Sequence, residues 1–336
     1  MRLDEGWSLG PVPVPNRLLL APLAGIGNWF VRLQAKRYGA GMAVSEMVSS
    51  HAIHHGNEKT CTEMLRIDPR EQHGGPVSIQ LFGEDPAIMR EAAAAVAAAG
   101  ADAIDINMGC PVPKVRKTGA GAELLENPDL AVALACAAVE GAGRDVPVTV
   151  KLRSGLRPGE DSGFLLAHRL VAEAGVAAIG FHPRSAAVHH KGQPDYALAA
   201  RLVETLPAPV ILSGGMSDAA QARFAFERTG ASALMLARGA LGNPWLFEEL
   251  LGEREQAPAR DEVLDELDWT IERAVEHLGE QRASRYLRKF YPWYVDRLGL
   301  APPAAKELQE SLQRAPSLGG ARALLAVHRA PAAAAI

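Results

Sequence analysis

The sequence predicts a (β/α)8 TIM barrel followed by a small all-α helical C-terminal domain, and this prediction rests on three observations. Eight short apolar runs alternate with longer helical patterns between about residues 16 and 250. Within each run, apolar and polar residues rarely alternate, which is typical of parallel strands buried on both faces. From about Pro258 only helical periodicity remains. A chain of 336 residues is long enough for one barrel and a smaller appendage.

The eight runs are rich in Val, Ile, Leu and Ala, as the strands of a closed parallel sheet are. We predict strands at Arg17–Ala21, Met42–Ser45, Val77–Leu81, Ala103–Asn107, Val148–Leu152, Ala178–His182, Val210–Ser213 and Ala233–Ala237. Helical stretches between them include Pro86–Ala99, Pro128–Glu140 and Ser162–Ala174. Gly100, Gly175 and Gly230 follow such stretches, where a left-handed residue ends a helix. No glycine-rich fingerprint follows the first strand, which disfavours an open doubly wound sheet.

The region after the barrel is predicted to contain helices only. Apolar residues recur at helical spacing in Asp261–Gly279, and a second helix, Gln281–Tyr291, precedes Pro292. We therefore expect a catalytic barrel at residues 10–250 and a helical domain at residues 258–330. We expect the last seven residues, 330–336, to form a frayed tail.

Charge is distributed unevenly in the C-terminal part of the chain. The formal net charge is −4, which argues against a surface that is basic throughout. Residues 251–281 hold 3 Arg and 10 Asp or Glu, whereas residues 282–336 hold 9 Lys or Arg and 3 Asp or Glu. The second block can bind an anionic polymer. The three cysteines lack paired spacing, and no leader or membrane-length apolar run is present, so we expect a cytoplasmic protein without membrane association.

The run Ile106–Pro111 is the most informative stretch of the chain. It places Asn107 and Cys110 where a predicted strand opens into a loop, the edge at which parallel α/β proteins bind ligands. Gly109 and Pro111 restrict the backbone on either side of the thiol. Such a cysteine can be a nucleophile, a proton donor or a metal ligand, and the lack of a Cys/His cluster disfavours metal. The alternative is a buried small hydrophobic residue.

Other predicted strand ends bring small, polar and basic residues to the same edge. Pro22, Leu23 and Ala24 follow the first strand and leave room for a flat ligand. Gln80 lies in the third strand, and a buried amide needs partners for its donor and its acceptor, which a heterocyclic ring supplies. The fifth and sixth strands add four basic residues: Lys151, Arg153, His182 and Arg184.

Two glycine-containing loops follow the last two predicted strands, at Ser213–Gly215 and Ala237–Gly239. In barrels these loops form the usual phosphate site, and Arg238 adds a cation. Lys151, in a Val-rich strand, needs an anionic partner unless it reaches solvent. FMN meets these demands, with its phosphate in the loops and the N1/O2 edge of its ring near Lys151. The predicted cofactor-binding residues are Pro22, Leu23, Ala24, Gln80, Lys151, His182, Ser213, Gly214, Gly215, Ala237 and Arg238.

Runs of residues across the predicted barrel resemble those of the tRNA-dihydrouridine synthase family. The matching runs are Ala21–Gly25, Gln80–Gly83, Asp105–Pro111, Lys114–Gly121, Lys151–Arg153, Phe181–Arg184, Ser213–Gly215 and Ala237–Trp245. They occur in family order over about two thirds of the chain. The resemblance also implies a helical C-terminal domain that binds tRNA, in agreement with the basic block.

The resemblance implies FMN-dependent reduction of particular tRNA uridines to 5,6-dihydrouridine. Hydride would pass from the reduced flavin to C6 of the uracil, Cys110 would protonate C5, and NADPH would re-reduce the flavin. A thiol is mostly protonated at neutral pH and can serve as this acid. The residues expected to bind the substrate are Asn107, Lys114, Arg116, Lys117, Arg153, Arg184, Arg285, Arg288 and Lys289. We expect tRNA and NADPH as partners, with no metal and no obligate protein partner.

Two other functions remain open at this point. A flavin barrel that acts on a small free pyrimidine, as dihydroorotate-type dehydrogenases do, shares the barrel and its phosphate loops but does not need a basic helical domain. A tRNA-binding or folding factor with a purely structural flavin would bind tRNA without needing Cys110. The substrate range and the effect of replacing Cys110 therefore distinguish the three hypotheses.

Overall fold

Eight parallel strands close into a barrel, which confirms the predicted fold class. The computed structural model describes residues 1–329, so the predicted tail at 330–336 lies outside the described residues. The barrel strands are β3 (Leu18–Leu20), β4 (Met42–Ser49), β5 (Val77–Phe82), β6 (Ala103–Met108), β7 (Val148–Arg153), β8 (Ala178–His182), β9 (Val210–Ser213) and β10 (Ala233–Leu236). Each pairs in parallel with the next along the chain, and β10 pairs with β3 to close the circle.

A short antiparallel hairpin precedes the barrel and was not predicted from the sequence. Its strands are β1 (Trp7–Leu9) and β2 (Val12–Val14). Leu9 and Val14 belong to an apolar cluster that includes Met42, the first residue of β4. The hairpin therefore covers the amino-terminal end of the barrel and leaves the carboxyl end for ligands. Runs of three residues are too short for a periodicity to be recognised.

Strand β4 extends four residues beyond its predicted end. Its pairing with β5 shifts register between Val44 and Met47, which is the signature of a bulge. The extra residues carry Glu46 and Met47 to the mouth of the barrel, where both are partly exposed. Because polar residues occur at this point, the sequence analysis ended the strand at Ser45.

Helices pack around the barrel strands. They are α1 (Trp29–Arg37), α2 (Ser50–His54), α3 (Pro86–Ala98), α4 (Pro113–Arg116), α5 (Pro128–Ala142), α6 (Ser162–Ala174), α7 (Tyr196–Thr205), α8 (Ala219–Thr229) and α9 (Trp245–Leu251). Shorter 3-10 or π segments lie at Thr60–Met64, Pro69–Gly74, Gly121–Glu126 and Arg238–Ala240. Gly175 and Gly230 end α6 and α8 in the left-handed conformation, as predicted.

The chain divides into two compact units. The first comprises Met1–Gly239 and Leu246–Leu251, and the second comprises Ala240–Trp245 and the described residues from Gly252 onwards. The helices of the second unit are α10 (Arg260–Leu278), α11 (Glu280–Leu287), α12 (Tyr291–Val295), α13 (Pro302–Arg314) and α14 (Leu318–Ala326).

The predicted helix Gln281–Tyr291 is divided in the structure. Helix α11 ends at Leu287, and Pro292 lies in the first turn of α12, where its missing N–H is tolerated. A buried hydrogen bond of 2.9 Å between Thr270 Oγ1 and Tyr294 Oη joins α10 to α12. Within residues 1–329, no helix is long and apolar enough to cross a membrane.

Candidate active site

The carboxyl ends of β6 and β7 carry a stack of polar side chains. Asp105 pairs with Thr149, and Asn107 pairs with Lys151, in the parallel register of the two strands. Paired residues of neighbouring strands point to the same face of a sheet, so these four side chains line the barrel interior. The structure thus brings together Asn107 and Lys151, two of the predicted site residues.

In the loop after β6, hydrogen bonds fix the backbone of Cys110 at both its N–H and its carbonyl oxygen. Asn107 Oδ1 accepts hydrogen bonds from the N–H of Gly109 at 3.2 Å and of Cys110 at 2.8 Å. The N–H of Ala122 donates to the Cys110 carbonyl oxygen at 3.0 Å. The thiol is half-buried and is not part of a disulfide. These bonds fix the direction of the side chain at the barrel mouth.

Asn107 belongs to a chain of buried amides that leads back to Asp105. Asn107 Nδ2 donates to Gln80 Oε1 at 2.9 Å, and Gln80 Nε2 donates to an Asp105 oxygen at 2.6 Å. Burial raises the pKa of the Asp105 carboxyl, while its bonds from Gln80 and Thr149 and the charge of Lys151 lower it. Gln80, expected to face a ring, therefore has protein partners for one N–H and one acceptor position.

Lys151 reaches across to the loop after β9. Its Nζ donates to Ser213 Oγ at 2.9 Å. Gly180 on β8 makes room, because a Cβ there would lie 3.3 Å from Lys151 Cγ. Burial lowers the pKa of Lys151 to about 8, with Arg153 acting in the same direction and Asp105 opposing both. A half-buried ammonium at the barrel mouth is suited to an anionic ligand.

Arg153 is buried and donates to backbone carbonyls. Its Nε donates to the Gly109 oxygen at 2.9 Å, and its Nη1 donates to the oxygens of Ser185 at 3.0 Å and His189 at 2.8 Å. His189 has a φ of 53°, in the left-handed region. Arg153 thus ties the Cys110 loop to the loop after β8.

His182 and Arg184 lie together at the end of β8. Arg184 Nη1 donates to His182 Nε2 at 3.2 Å, which leaves the ring proton on Nδ1. Burial and the charges of Lys151, Arg153 and Arg184 lower the pKa of His182 far below its usual range, so the ring is neutral. The Arg184 guanidinium also donates to the Gly192 carbonyl at 2.7 Å.

The loop after β9 presents backbone N–H groups at the barrel mouth. Gly214 and Gly215 have φ values of 99° and 81°. Their N–H groups have no hydrogen-bond acceptor among the described residues. A Cβ at Gly214 would lie 2.4 Å from His182 Nε2, so only glycine fits there. Tyr196 Oη, which the sequence did not single out, donates to the Gly214 oxygen at 3.0 Å.

Arg238 follows β10 and is exposed. Its side chain makes no hydrogen bond or ion pair with the residues that the structure describes. Burial lowers the pKa values of Arg184 and His190, and the Arg238 charge lowers them further, so Arg238 lies near both. Half-buried Ala237 precedes it. The residues expected to form a phosphate site therefore present free donors and a free cation.

The loop after β3 is fixed by contacts with charged side chains, of which the sequence analysis did not single out Arg32 and Glu71. Glu46 Oε2 accepts from the Gly25 N–H at 2.8 Å. Arg32 Nη1 donates to the Gly27 oxygen at 3.2 Å and pairs with Glu71, and neither charged side chain is exposed. These contacts fix the turn in which Leu23 is buried, Pro22 is half-buried and Ala24 is exposed.

Three basic residues follow Cys110. Lys114 and Lys117 are exposed, whereas Arg116 forms an ion pair with Glu123 at 2.6 Å. The structure therefore leaves the two lysines available and gives the arginine a protein partner.

The helical unit carries its own basic residues. Arg285 and Lys289 are exposed on and after α11, and Arg288 is half-buried. Lys289 Nζ lies 4.7 Å from the centre of the Tyr286 ring. Basic and aromatic side chains side by side are typical of nucleic-acid surfaces.

The structural comparison finds the same fold in solved structures of other proteins. Morphinone reductase in complex with tetrahydroNAD matches with a TM-score of 0.53 and 18% identity, covering 78% of this chain and 94% of that chain. Histamine dehydrogenase from Rhizobium sp. 4-9 matches with a TM-score of 0.58 and 15% identity, covering 75% of this chain and 48% of that chain. At these identities the likeness concerns the fold alone.

The sequence comparisons identify the family. The dihydrouridine synthase family model matches residues 19–331. tRNA-dihydrouridine synthase B of Shewanella oneidensis is 35% identical over 297 residues, covering 86% of this chain and 89% of that protein. The same enzyme of Pseudomonas aeruginosa is 36% identical over 314 residues, covering 91% and 90%. The chain therefore belongs to the dihydrouridine synthase family.

Proposed function

We propose that this protein reduces specific uridines in tRNA to 5,6-dihydrouridine, with FMN as cofactor and NADPH as reductant in the cytoplasm. The observation that supports this most directly is the arrangement of the barrel mouth. Cys110 follows β6 and Arg238 follows β10, and these strands lie on opposite sides of the eight-stranded circle. A proton donor thus faces a phosphate site across the space that a flat ring would fill.

The residues at the mouth fit FMN. The free N–H groups of Gly214 and Gly215 and the free guanidinium of Arg238 suit its phosphate. The half-buried ammonium of Lys151 suits the electron-rich N1/O2 edge of the ring. Neutral His182, packed under Gly214, supports the phosphate loop without adding charge.

When bound, reduced FMN supplies the hydride that adds to C6 of the uracil. Cys110 donates its thiol proton to C5, so that one hydride and one proton convert the C5=C6 double bond to a single bond. Asn107 fixes the loop from which the thiol points and offers an N–H to the base. The target base must leave its stack to reach this depth, which costs a few kcal/mol that pocket contacts offset.

We assign binding of the tRNA phosphate backbone to exposed basic residues. Lys114 and Lys117, which follow Cys110, contact phosphates beside the target nucleotide. On the helical unit, Arg285, Arg288 and Lys289 contact phosphates elsewhere on the tRNA. We assign indirect roles to Arg153, Arg184 and Arg116, because their guanidinium groups already have protein partners: each orders a loop that borders the substrate.

The cofactor assignment is tested by the absorption spectrum of the purified protein and the mass of the chromophore released on denaturation. Flavin absorption and the mass of FMN are expected. A colourless protein that FMN cannot reconstitute would refute the site.

The substrate is tested with the full-length protein, NADPH and tRNA that lacks dihydrouridine. Digestion and mass spectrometry of nucleosides should show dihydrouridine, while free uracil and orotate should remain unchanged. Turnover of a free pyrimidine without activity on tRNA would instead support the small-molecule dehydrogenase.

A further inference from the structure

Three hydrogen bonds in series connect the buried carboxylate of Asp105 to the backbone of Cys110. The chemistry proposed above does not use this carboxylate. Asp105 is 2% exposed. One of its oxygens accepts from Gln80 Nε2 at 2.6 Å and the other from Thr149 Oγ1 at 2.5 Å. From there the chain runs through Gln80 Oε1 to Asn107, and through Asn107 Oδ1 to the Cys110 N–H.

Every bond in this chain points in the same direction. Burial raises the pKa of the Asp105 carboxyl, whereas Gln80, Thr149 and the Lys151 charge favour its ionised form, which only accepts hydrogen bonds. The backbone N–H groups of Gly109 and Cys110 only donate, whereas a side-chain amide can turn either way. Two amides, those of Gln80 and Asn107, lie between these fixed ends. Reversing them would place N–H against N–H at Cys110 and oxygen against oxygen at Asp105. Buried mismatches of this kind are costly, so both ends require the same orientation.

The orientation decides what Asn107 offers to a ligand. Its Oδ1 already accepts two backbone N–H groups, from Gly109 and Cys110. Its Nδ2 donates to Gln80, and its second hydrogen has only the weak acceptor Met47 Sδ, at 3.7 Å. Asn107 therefore presents an N–H, which complements a carbonyl oxygen of a pyrimidine rather than its N3–H.

We propose that Asp105 is a positioning residue: its carboxylate sets the orientation of the Gln80 and Asn107 amides, and so makes Asn107 a donor to a carbonyl oxygen of the target base. The orientation depends on protein atoms alone. The identity of the ligand rests on the proposed function.

The proposal is tested by moving the carboxylate from position 105 to position 107, on the other side of the Gln80 amide. We compare Asp105→Asn, Asn107→Asp and the double variant by thermal unfolding of the full-length, flavin-free protein. In Asn107→Asp two carboxylates face the single Gln80 amide. In the double variant one carboxylate remains, and Gln80 can turn to donate to it. The double variant should therefore melt several degrees above Asn107→Asp, and strictly additive effects would overturn the proposal.

Two provisions keep this test decisive. If Asn107→Asp does not fold, recovery of folded protein in the double variant is the supporting result, and failure of both overturns the proposal. The matched control is Asp102→Asn, which alters a carboxylate at the entrance of β6. Among residues 1–329, this carboxylate accepts only the Val77 N–H, at 2.8 Å. Combined with Asn107→Asp, it should show no coupling.

A functional measurement separates orientation from mere stability. With the carboxylate at position 107 no N–H is offered to the base. We therefore expect kcat/KM of the double variant for tRNA, measured per bound flavin, to stay at least about tenfold below that of the native protein. Full recovery of uridine reduction would overturn the donor role. Failure of the proposed function would appear as absence of dihydrouridine with the native protein, and it would leave the thermal coupling unchanged.

Discussion

The Asn107 side chain fixes the Cys110 backbone through a hydrogen bond of 2.8 Å from the Cys110 N–H to Asn107 Oδ1. The thiol itself takes no part in that bond and stays half-buried at the mouth. Asn107, which orients the loop, and Cys110, the proposed proton donor, are therefore separate residues that can be altered independently.

Replacing the thiol should stop the reaction and spare binding. In Cys110→Ala we expect dihydrouridine formation to fall by about 10²–10⁴-fold, the usual contribution of a general acid, because the variant lacks the proposed proton donor. Flavin content and tRNA affinity should not change. Nucleoside mass spectrometry provides the measurement, and exposed Cys136→Ala is the control. Native dihydrouridine levels in Cys110→Ala would refute the role of the thiol.

The phosphate loop should not tolerate a side chain. In Gly214→Ala the new Cβ would meet His182 at 2.4 Å, in a backbone conformation that already disfavours alanine. We expect at least about a tenfold loss of FMN affinity, since one or two N–H···phosphate bonds would be displaced. Gly159→Ala is the matched control, because Gly159 also has a positive φ but open space around it. Equal flavin content in the two variants would contradict the proposed site.

Lys151 should lower the stability of the flavin-free protein while serving the cofactor. Burial lowers its pKa from 10.5 to about 8, so between these values the folded protein binds fewer protons than the unfolded chain, and stability rises with pH. Lys151→Met should therefore raise the melting temperature most below pH 8, and the gain should shrink towards pH 10.5. The same variant should lose FMN binding.

Lys36 provides the contrast. Burial lowers its pKa to about 8 as well, but its Nζ donates to the carbonyls of Glu71 and Gly75. Lys36→Met should lower the melting temperature, because two acceptors lose their donor. A fall in melting temperature for Lys151→Met as well would indicate that Lys151 is a structural residue.

The buried ion pair beneath the β3 loop should be costly to break. Glu71→Gln leaves the Arg32 guanidinium buried without its counter-charge, and we expect a loss of about 3–5 kcal/mol in the free energy of unfolding. Urea denaturation measures this loss. Glu140→Gln, in an exposed pair with Arg90, should have no measurable effect. A loss below about 1 kcal/mol for Glu71→Gln would show that the pair is not needed to hold the loop.

The basic residues on and just after α11 should contribute salt-dependent tRNA affinity. Reversing the charge of Arg285 and Lys289 should weaken binding for all tRNA sequences alike and flatten the salt dependence of the affinity, because fewer counterions are released. Arg144→Glu, at an exposed position in the loop before β7, is the control. Unchanged affinity and salt slope would remove the helical unit from the proposed interface.

Much of the fold followed from the sequence because parallel strands buried on both faces leave uninterrupted apolar runs. The predicted bounds of β8 and β9 match the structure. The β1–β2 hairpin and the bulged continuation of β4 were missed, since short strands and bulges have no periodicity of their own. The division of the predicted second helix follows from Pro292, which is accepted only near a helix start.

By itself the sequence determined which residue types stand at the strand ends: a cysteine, an amide, a lysine and two glycine loops at one edge of a barrel. Only the tertiary structure decided what each can do, because hydrogen-bond partners come from distant parts of the chain. It gave Arg153 three carbonyl partners and Lys151 a hydroxyl partner, and within residues 1–329 it left Arg238 without a hydrogen bond or ion pair. It also placed the Asp105 carboxylate at one end of the hydrogen-bonded amides of Gln80 and Asn107. No spacing along the sequence encodes this relationship.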